Sequence, residues 1–207
     1  MKNRHWGTVV IAAITSVLIA SAVNAEEKLR LEEVVVTAQK RAQSIQDVPV
    51  SVSSLSGDML EELNMENMND LSKITPNLKI TADGIYNTIS IRGLGSGANN
   101  GFEQSVGTFI DDVYFNSTAR LLSSMYDIDR IEVLRGPQGT LFGRNTIAGA
   151  VAVHTGKVSD VFEMIADSTM GDLNWSKHTL VTNIPLIDGK LGARIAGQYF
   201  KRDGHVY

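Results

Sequence analysis

The segment of residues 128–151 reads IDRIEVLRGPQGTLFGRNTIAGAV and carries the clearest structural pattern in the chain. Its first part, Ile128–Leu134, is rich in β-branched residues, and Ala150–His154 forms a second apolar run. Both runs favour strands because branched side chains pack well on a pleated surface. Glycine and proline in Gly136-Pro137-Gln138-Gly139 mark a loop between the two runs. The segment therefore predicts two strands joined by a glycine-rich connection.

Short helices and further strands are predicted upstream of this segment. Asp58–Glu61 has the spacing of a capping box and places Leu60 and Leu63 on one face of a short helix. A second short helix is predicted over residues 69–74, where Pro76 then ends it. Additional strands are predicted at Val50–Val52, Thr88–Arg92 and Val106–Ile110. Together these elements predict a small α+β domain over residues 45–156.

Residues 157–207 follow a different pattern. From Leu191 to Phe200 every second residue is apolar or small, and the residues between them include the polar ones. This period is typical of a strand with one apolar and one polar face. Similar strands are predicted at Val161–Met170 and Trp175–Ile184, with turns at Gly171-Asp172 and Asp188-Gly189. Each strand has about the 9–11 residues that a tilted strand needs to cross a membrane, and a soluble meander fits the same period.

The N-terminal residues 1–25 have the three parts of a secretory signal. Met1–His5 is positively charged, Val9–Ala20 is almost wholly apolar, and small residues lead to Ala25. A membrane-anchor helix is disfavoured because the apolar run is shorter than the roughly 20 residues that span a bilayer. Cleavage is predicted after Ala25, with Ala22 as the alternative site.

Residues 26–44 are largely polar apart from one apolar island, Val34-Val35-Val36. Three consecutive β-branched residues favour a short strand. The surrounding residues offer too little apolar surface to build a core, so this strand is predicted to pair with the edge of another sheet. The alternative is that it forms the first strand of the following domain.

The composition excludes several classes of site. The chain has 207 residues, a formal net charge of −4 and no cysteine. Without cysteine there is no disulfide framework, thiolate zinc site, iron–sulfur cluster or cysteine nucleophile. An acidic chain without a basic patch predicts no nucleic-acid partner.

No constellation of residues predicts an enzyme, a metal site or a cofactor. The four histidines lack metal-ligand spacing, and no serine lies in a GxSxG elbow. Asp111 and Asp112 are predicted to lie on a strand and to point to opposite faces, which disfavours a shared acid–base site. Residues 139–145 miss the phosphate-loop spacing by one residue, and Arg144 and Asn145 replace its lysine and its serine or threonine.

Residues 128–151 closely resemble the plug-domain signature of TonB-dependent outer-membrane receptors. Four more segments resemble parts of the same receptors, in the same order along the chain. They are Glu33–Ala38, similar to the TonB box, Gln46–Val52, similar to the entry into the plug, and Ile91–Gly93 and Val106–Tyr114, similar to plug strands. The resemblance covers about residues 31–207.

The resemblance implies an α+β plug domain followed by the first few antiparallel strands of an incomplete transmembrane β-barrel. The expected parts are a signal peptide (1–25), a periplasmic extension with the TonB box (26–44), the plug domain (45–156) and about three barrel strands (157–207). Plugged outer-membrane transporters use about 22 strands and the smallest barrels about 8, so the chain is expected to hold only the first part of a receptor. A truncated record and a truncated gene would both account for this.

The resemblance also assigns roles to individual residues. The TonB-binding residues are expected to be Glu33, Val34, Val35, Val36, Thr37 and Ala38. The plug signature, in which Glu132, Arg135 and Arg92 are expected to lock the plug against the barrel wall, comprises Arg92, Gly93, Glu132, Arg135, Gly136, Pro137, Gly139, Gly143 and Arg144. The ligand-facing loops are expected to include Leu94, Ser96, Asn99, Phe102, Phe115, Asn116 and Arg120.

The function implied by the resemblance is energised uptake of a scarce nutrient, such as a ferric siderophore, across the outer membrane of a Gram-negative bacterium. The implied partners are the TonB protein of the inner-membrane complex, outer-membrane lipid and a small-molecule ligand such as an iron chelate. The alternative is a free-standing periplasmic binding module, similar to a plug, that sequesters the ligand or TonB.

Overall fold

The computed structural model describes residues 35–37, 43–65, 67–83, 86–97, 103–115 and 126–203. The predicted signal peptide lies outside the described residues. Within the described ranges, no helix combines the length and the apolar character that crossing a bilayer requires.

The described elements are short strands and shorter helices. In chain order the strands are β1 (Val35–Val36), β2 (Gln43–Ser44), β3 (Ser51–Ser56), β4 (Leu78–Asp83), β5 (Tyr86–Ile91), β6 (Leu94–Gly95), β7 (Val106–Ile110), β8 (Val113–Phe115), β9 (Ile128–Arg135), β10 (Gly149–Thr155), β11 (Glu163–Gly171), β12 (Trp175–Ile187) and β13 (Leu191–Lys201). The helices are α1 (Gly57–Glu62), α2 (Leu71–Ile74) and α3 (Gly139–Phe142), and a 3-10 turn at Met68–Asp70 leads into α2.

The centre of the α+β domain is a mixed five-stranded sheet in the order β3-β9-β10-β7-β8. Strand β9 pairs antiparallel with both β3 and β10, and β10 pairs parallel with β7. The glycine-rich segment between β9 and β10 holds α3, and the two strands predicted from residues 128–151 are confirmed. The structure adds that they lie side by side. Strand β7 is confirmed at its predicted residues.

One face of the central sheet carries the main hydrophobic core. It is covered by α1, α2 and the antiparallel sheet β4-β5-β6. The buried side chains of this core are Leu55, Leu60, Met65, Met68, Leu71, Leu78, Ile80, Ile89, Ile91, Val106, Ile131, Val133, Ala148, Val151 and Val153. Burial of this many apolar groups is the main source of the stability of the domain.

The opposite face of the central sheet carries a smaller apolar cluster. Strands β1 and β2 pair antiparallel to form an N-terminal hairpin, whose Val36 belongs to this cluster and is fully buried. Phe109 on β7 packs against the Phe142 ring of α3 with a centroid distance of 4.9 Å. The N-terminal hairpin is therefore part of the packed domain.

Strands β11, β12 and β13 form a separate antiparallel sheet in chain order. The three predicted strands and their two turns are confirmed, with ends shifted by at most three residues. One face is mostly apolar and exposed, with Met164, Leu180, Ile195 and Tyr199 among its residues. The other face aligns Glu163, Asn183 and Arg194 in one row across the strands. The sheet thus has the predicted apolar and polar faces.

The structure corrects three details of the α+β domain. Helix α1 is capped by Ser56, whose side chain accepts a hydrogen bond from the Met59 N–H, and not by Asp58, while Leu63 is 46% exposed. Asp111 and Asp112 do not lie on a strand. They form the two-residue turn between β7 and β8, with φ of 46° and 66°, because a tight hairpin needs left-handed backbone at both central positions.

Candidate functional site

The N-terminal hairpin holds the predicted TonB-binding segment on the domain. Val35 and Val36 pair with Ser44 and Gln43 on β2, so β2 occupies one edge of β1. The fully buried Val36 side chain packs with Leu134 and other residues of the smaller apolar cluster. The paired region is only two residues long, so few contacts hold this strand compared with those of the central sheet.

Glu132 on β9 is the main polar contact of this segment. The Thr37 N–H donates to Glu132 Oε1 at 2.7 Å, and the Thr37 hydroxyl donates to the same oxygen at 3.1 Å. The Glu132 side chain is only 1% exposed. Burial of a carboxylate without partners costs free energy. The two bonds from Thr37 and the ion pair with Arg130 offset that cost for Glu132.

Arg130 and His154 complete the group. Arg130 Nε donates to Glu132 Oε1 at 2.9 Å, and Arg130 Nη2 donates to the Thr37 hydroxyl oxygen at 2.9 Å. His154 lies directly opposite Arg130 in the β9–β10 register, and its Nε2 is 3.1 Å from Thr37 Oγ1. We call Thr37, Arg130, Glu132 and His154 the Glu132 cluster.

The environment of His154 favours its neutral form. Burial and the positive charge of Arg130 lower the pKa of His154 from its ordinary value, and burial is the larger cause. The carboxylates of Glu132, Asp112 and Asp111 act in the opposite direction without reversing the shift. The Glu132 cluster is therefore built around an uncharged imidazole.

A second polar group joins the central domain to the C-terminal sheet. Arg194 on β13 donates to Asp127, just before β9, through Nε at 3.0 Å and Nη2 at 2.7 Å. Arg194 Nη1 also donates to Glu163 on β11 at 3.1 Å. The side chains of Arg194 and Asp127 are only 14% and 13% exposed. We call Asp127, Gly156, Glu163 and Arg194 the Arg194 joint.

Gly156 and Asn183 fit the connecting segment to this joint. A Cβ on Gly156 would lie 2.5 Å from Asp127 Oδ1 and 2.8 Å from Arg194 Nε, so glycine leaves room for the ion pair. The fully buried Asn183 amide donates to the carbonyls of Ser159 and Val161 and accepts from the Ser159 N–H. The segment between β10 and β11 is thus held at both of its ends.

Residues 44–150 match the family model described as the TonB-dependent Receptor Plug Domain. The chain belongs to this family. Its α+β domain is the plug domain, and β11–β13 are the first antiparallel strands of the receptor fold, in a sheet that is not closed in the described residues. Its place is the outer membrane.

Two curated relatives and one solved structure illustrate the likeness. The iron-regulated outer membrane virulence protein of Vibrio cholerae is 28% identical over 98% of this chain and 33% of its own length. The pesticin receptor of Yersinia pestis is 31% identical over 69% of this chain and 22% of its own length. The ferric yersiniabactin uptake receptor FyuA of Yersinia pestis superposes with a TM-score of 0.65 at 23% identity, over 72% of this chain and 24% of that one. The chain thus spans about a third or less of these relatives.

Apart from Glu132 and Arg135, which lie on β9, the plug signature residues fall into two places. Arg92 and Gly93 form the turn between β5 and β6, with φ of 53° and 79°. Gly136, Pro137, Gly139, Gly143 and Arg144 lie in the connection between β9 and β10, where Arg144 is exposed. Arg135 reaches the Pro76 carbonyl at 3.5 Å, and its buried Nε has no hydrogen-bond partner among the described residues. The expected lock against the barrel wall remains a prediction.

The expected ligand-facing residues are only partly described. Leu94 is exposed at the end of β6, and the Ser96 hydroxyl lies 2.8 Å from the Ser105 hydroxyl. Phe115 is half-buried at the end of β8. Asn99, Phe102, Asn116 and Arg120 lie outside the described residues, as do Glu33, Val34 and Ala38 of the predicted TonB box. No group of three or more possible metal ligands is present among the described residues.

The sequence did not reveal four residues that the structure brings together at these sites. Arg130 and His154 join Thr37 across 93 and 117 positions of the chain. Asp127 and Arg194 meet across 67 positions. The only available signal was the alternation of β9, which places Arg130 and Glu132 on one face. The strand register that adds His154 to that face is a tertiary property.

Proposed function

We propose that this chain is the N-terminal part of a TonB-dependent receptor that takes up a scarce nutrient, such as a ferric siderophore, across the outer membrane. The printed names of the relatives, which refer to iron regulation and ferric yersiniabactin uptake, support this class of cargo. The pesticin receptor and FyuA are named as receptors, in keeping with a transport role and not with an enzyme.

The observation that carries the proposal is the way in which the TonB box is attached. Val35 and Val36 make a two-residue pairing with β2, and Thr37 contacts the plug through side-chain bonds to Glu132. Such a strand is ordered on the domain, but its release requires only a modest free energy because its pairing covers two residues. Its released backbone can add to the edge of a partner sheet, which yields several main-chain hydrogen bonds at once. The partner in this proposal is the C-terminal domain of TonB.

The placement of Glu132 supports a path for mechanical force. Strand β9, which carries Glu132, lies between β3 and β10 inside the central sheet. Tension on the box would reach the plug through this strand, while the Arg194 joint ties the start of β9 to β11 and β13. Force would therefore act across the plug and not on an isolated tail. The exposed end of β6 near Leu94 is one place where cargo would bind.

The test is a calorimetric titration of the purified chain with the C-terminal domain of TonB. Val35→Pro removes a ladder N–H and fixes φ, so we expect binding to weaken by about tenfold or more. Val35→Ile keeps the N–H and the β-branched side chain and is expected to bind as the parent does. Equal binding by the proline variant and the parent would contradict strand addition through this segment.

A further inference from the structure

We propose that Glu132 is a positioning residue that limits the access of TonB to its box: by holding Thr37 on the plug, it favours a docked box that TonB cannot pair with. This inference rests on the proposed function, because it concerns the regulation of the same segment. It gives Glu132 a role toward the box, in addition to the role toward the barrel wall that the resemblance implies.

The docked part of the box, Val35–Thr37, is covered by the plug. Val36 as a whole residue is 0% exposed, so its backbone is out of reach of a partner as well as its side chain. It belongs to the same apolar cluster as Leu134, Ala150 and Phe109 of the central sheet. Strand addition needs free backbone N–H and C=O groups along the added strand. TonB can therefore pair with this segment only after the segment has left the plug.

The polar contacts of the docked segment converge on Glu132. The Thr37 N–H and hydroxyl donate to Glu132 Oε1 at 2.7 and 3.1 Å, and Arg130 Nη2 donates to the hydroxyl oxygen at 2.9 Å. The Glu132 side chain is almost fully buried. Hydrogen bonds to a buried charged group are stronger than those at a surface. Loss of this charge would therefore weaken two bonds to the box at once.

The pairing of β1 with β2 does not attach the box to the central sheet. It links Val35 and Val36 to Gln43 and Ser44 of the same hairpin, in a two-stranded sheet of its own. Docking onto the plug thus depends on the burial of Val36 and on the contacts of Thr37.

The carboxylate of Glu132 is used unevenly, which keeps the docking reversible. Oε1 accepts from Thr37 and from Arg130 Nε, whereas Oε2 is buried without a hydrogen-bond partner among the described residues. A buried acceptor without a partner retains its desolvation penalty. Departure of the box would let water reach this oxygen, and that gain lowers the free energy needed for opening.

Docking of the box lowers the apparent affinity of the chain for TonB. When only a fraction of the chains has an open box, the apparent Kd is the intrinsic Kd divided by that fraction. A peptide that carries the box has no plug to dock on and reports the intrinsic Kd. We therefore expect the full chain to bind the C-terminal domain of TonB about tenfold more weakly than the peptide does.

The experiment is a calorimetric titration of the full chain in detergent with that domain. Glu132→Gln keeps the size of the side chain and one acceptor oxygen but removes the charge, and we expect it to tighten TonB binding by about fivefold. Leu60→Ala is the matched control. Leu60 is buried in the main core under α1, so its truncation lowers the stability of the plug without touching the box and should leave the TonB affinity unchanged.

A second pair of variants acts on the box itself. Each chain is compared with a peptide that carries the same substitution, which cancels any direct effect on strand pairing. Thr37→Val removes the hydroxyl and should tighten binding by the chain, relative to its peptide, by about fivefold. Thr37→Ser keeps the hydroxyl and should retain the parent ratio.

Thiol labelling tests the docked state without TonB. The chain has no cysteine, so a Val36→Cys thiol should react about tenfold or more slowly than an Ile147→Cys thiol, which replaces a side chain that is 71% exposed. Adding Glu132→Gln should speed the reaction at position 36 alone by about fivefold.

The proposal is overturned if the chain and the peptide bind TonB equally, or if Glu132→Gln changes neither the TonB affinity nor the labelling at position 36. Failure of the peptide to bind TonB would reject the proposed function and with it the link to TonB. The labelling rates would still decide whether Glu132 holds the segment on the plug.

Discussion

Gly149 is one position where the plug tolerates no side chain. It begins β10 between β9 and β7, and a Cβ there would lie 2.2 Å from the Leu134 carbonyl oxygen and 2.7 Å from the Ile91 side chain. The backbone at Leu134 cannot move away without breaking the hydrogen bonds between β9 and β10. We expect Gly149→Ala to lower the free energy of unfolding by about 3 kcal/mol, measured by urea denaturation in detergent.

Gly139 provides the matched control for that substitution. It starts α3, and a Cβ there would meet nothing within 4 Å. Gly139→Ala is therefore expected to be neutral or to stabilise by about 0.5 kcal/mol, because alanine favours helix more than glycine does. If the two variants lost the same free energy of unfolding, the close contact of the Gly149 backbone with Leu134 and Ile91 would not be what excludes a side chain there.

Glu132 offers a second test at the scale of single residues. Glu132→Ala would leave the Arg130 guanidinium and the Thr37 N–H without their shared acceptor. Arg130 keeps its ion pair with Asp129, but the Thr37 N–H and the Arg130 Nε lose their buried acceptor, so we expect a loss of about 2 kcal/mol in unfolding free energy. Glu103, which is 71% exposed and 3.8 Å from Arg144, is the control. Glu103→Ala should change stability by less than about 0.5 kcal/mol.

At the scale of elements, the Arg194 joint connects three segments. Arg194→Ala would leave Asp127 without its bidentate partner and Glu163 without its cation. We expect the amides of β13 to exchange faster by about tenfold or more, because an unpaired buried carboxylate disfavours the packed arrangement. The measurement is hydrogen–deuterium exchange followed by mass spectrometry of the β13 peptide.

Arg144→Ala is the control for the joint. The Arg144 side chain is 81% exposed and lies 3.8 Å from Glu103, so its removal should leave β13 exchange unchanged. If Arg194→Ala and Arg144→Ala gave the same exchange as the parent, the joint would have no part in holding β13 to the plug.

The elements differ in how far the sequence predicted them. β9, β10 and β7 were predictable because each is a run of β-branched residues that lies in the sheet interior. β4 was missed although Leu78 and Ile80 alternate in it, because the proline before it indicated only the end of a helix. α3 has just four residues with glycine first, and its Phe142 packs on Phe109. No periodicity predicts so short a helix.

The candidate site was predictable only where it was continuous in sequence. The predicted TonB box and Glu132 lie within segments that resemble the family, and the structure shows Thr37 of the first segment in contact with Glu132. Nothing in the sequence indicated that His154 has a partner, because Thr37 is 117 positions away. Its place in the cluster depends on the β9–β10 register and on the folded position of the N-terminal hairpin.

At the scale of the whole chain, the three strands of the C-terminal sheet leave β11 and β13 each paired on one side only among the described residues. An open strand edge in hydrocarbon costs several kcal/mol for each unpaired backbone group. We therefore expect residues 1–207 alone to give no conductance when mixed with lipid vesicles and no gel band that shifts on boiling. A stable conducting species would contradict this expectation.

The most direct test of the central claim, that the box joins TonB as an added strand, is disulfide cross-linking. The chain has no cysteine, so single cysteines can be placed at each of residues 33–38 and tested against one cysteine on the edge strand of the TonB C-terminal domain. Because side chains alternate along a strand, we predict cross-links at every second box position and none from a control cysteine at the exposed Ile147. Uniform cross-linking at all positions, or none at any of them, would contradict the account.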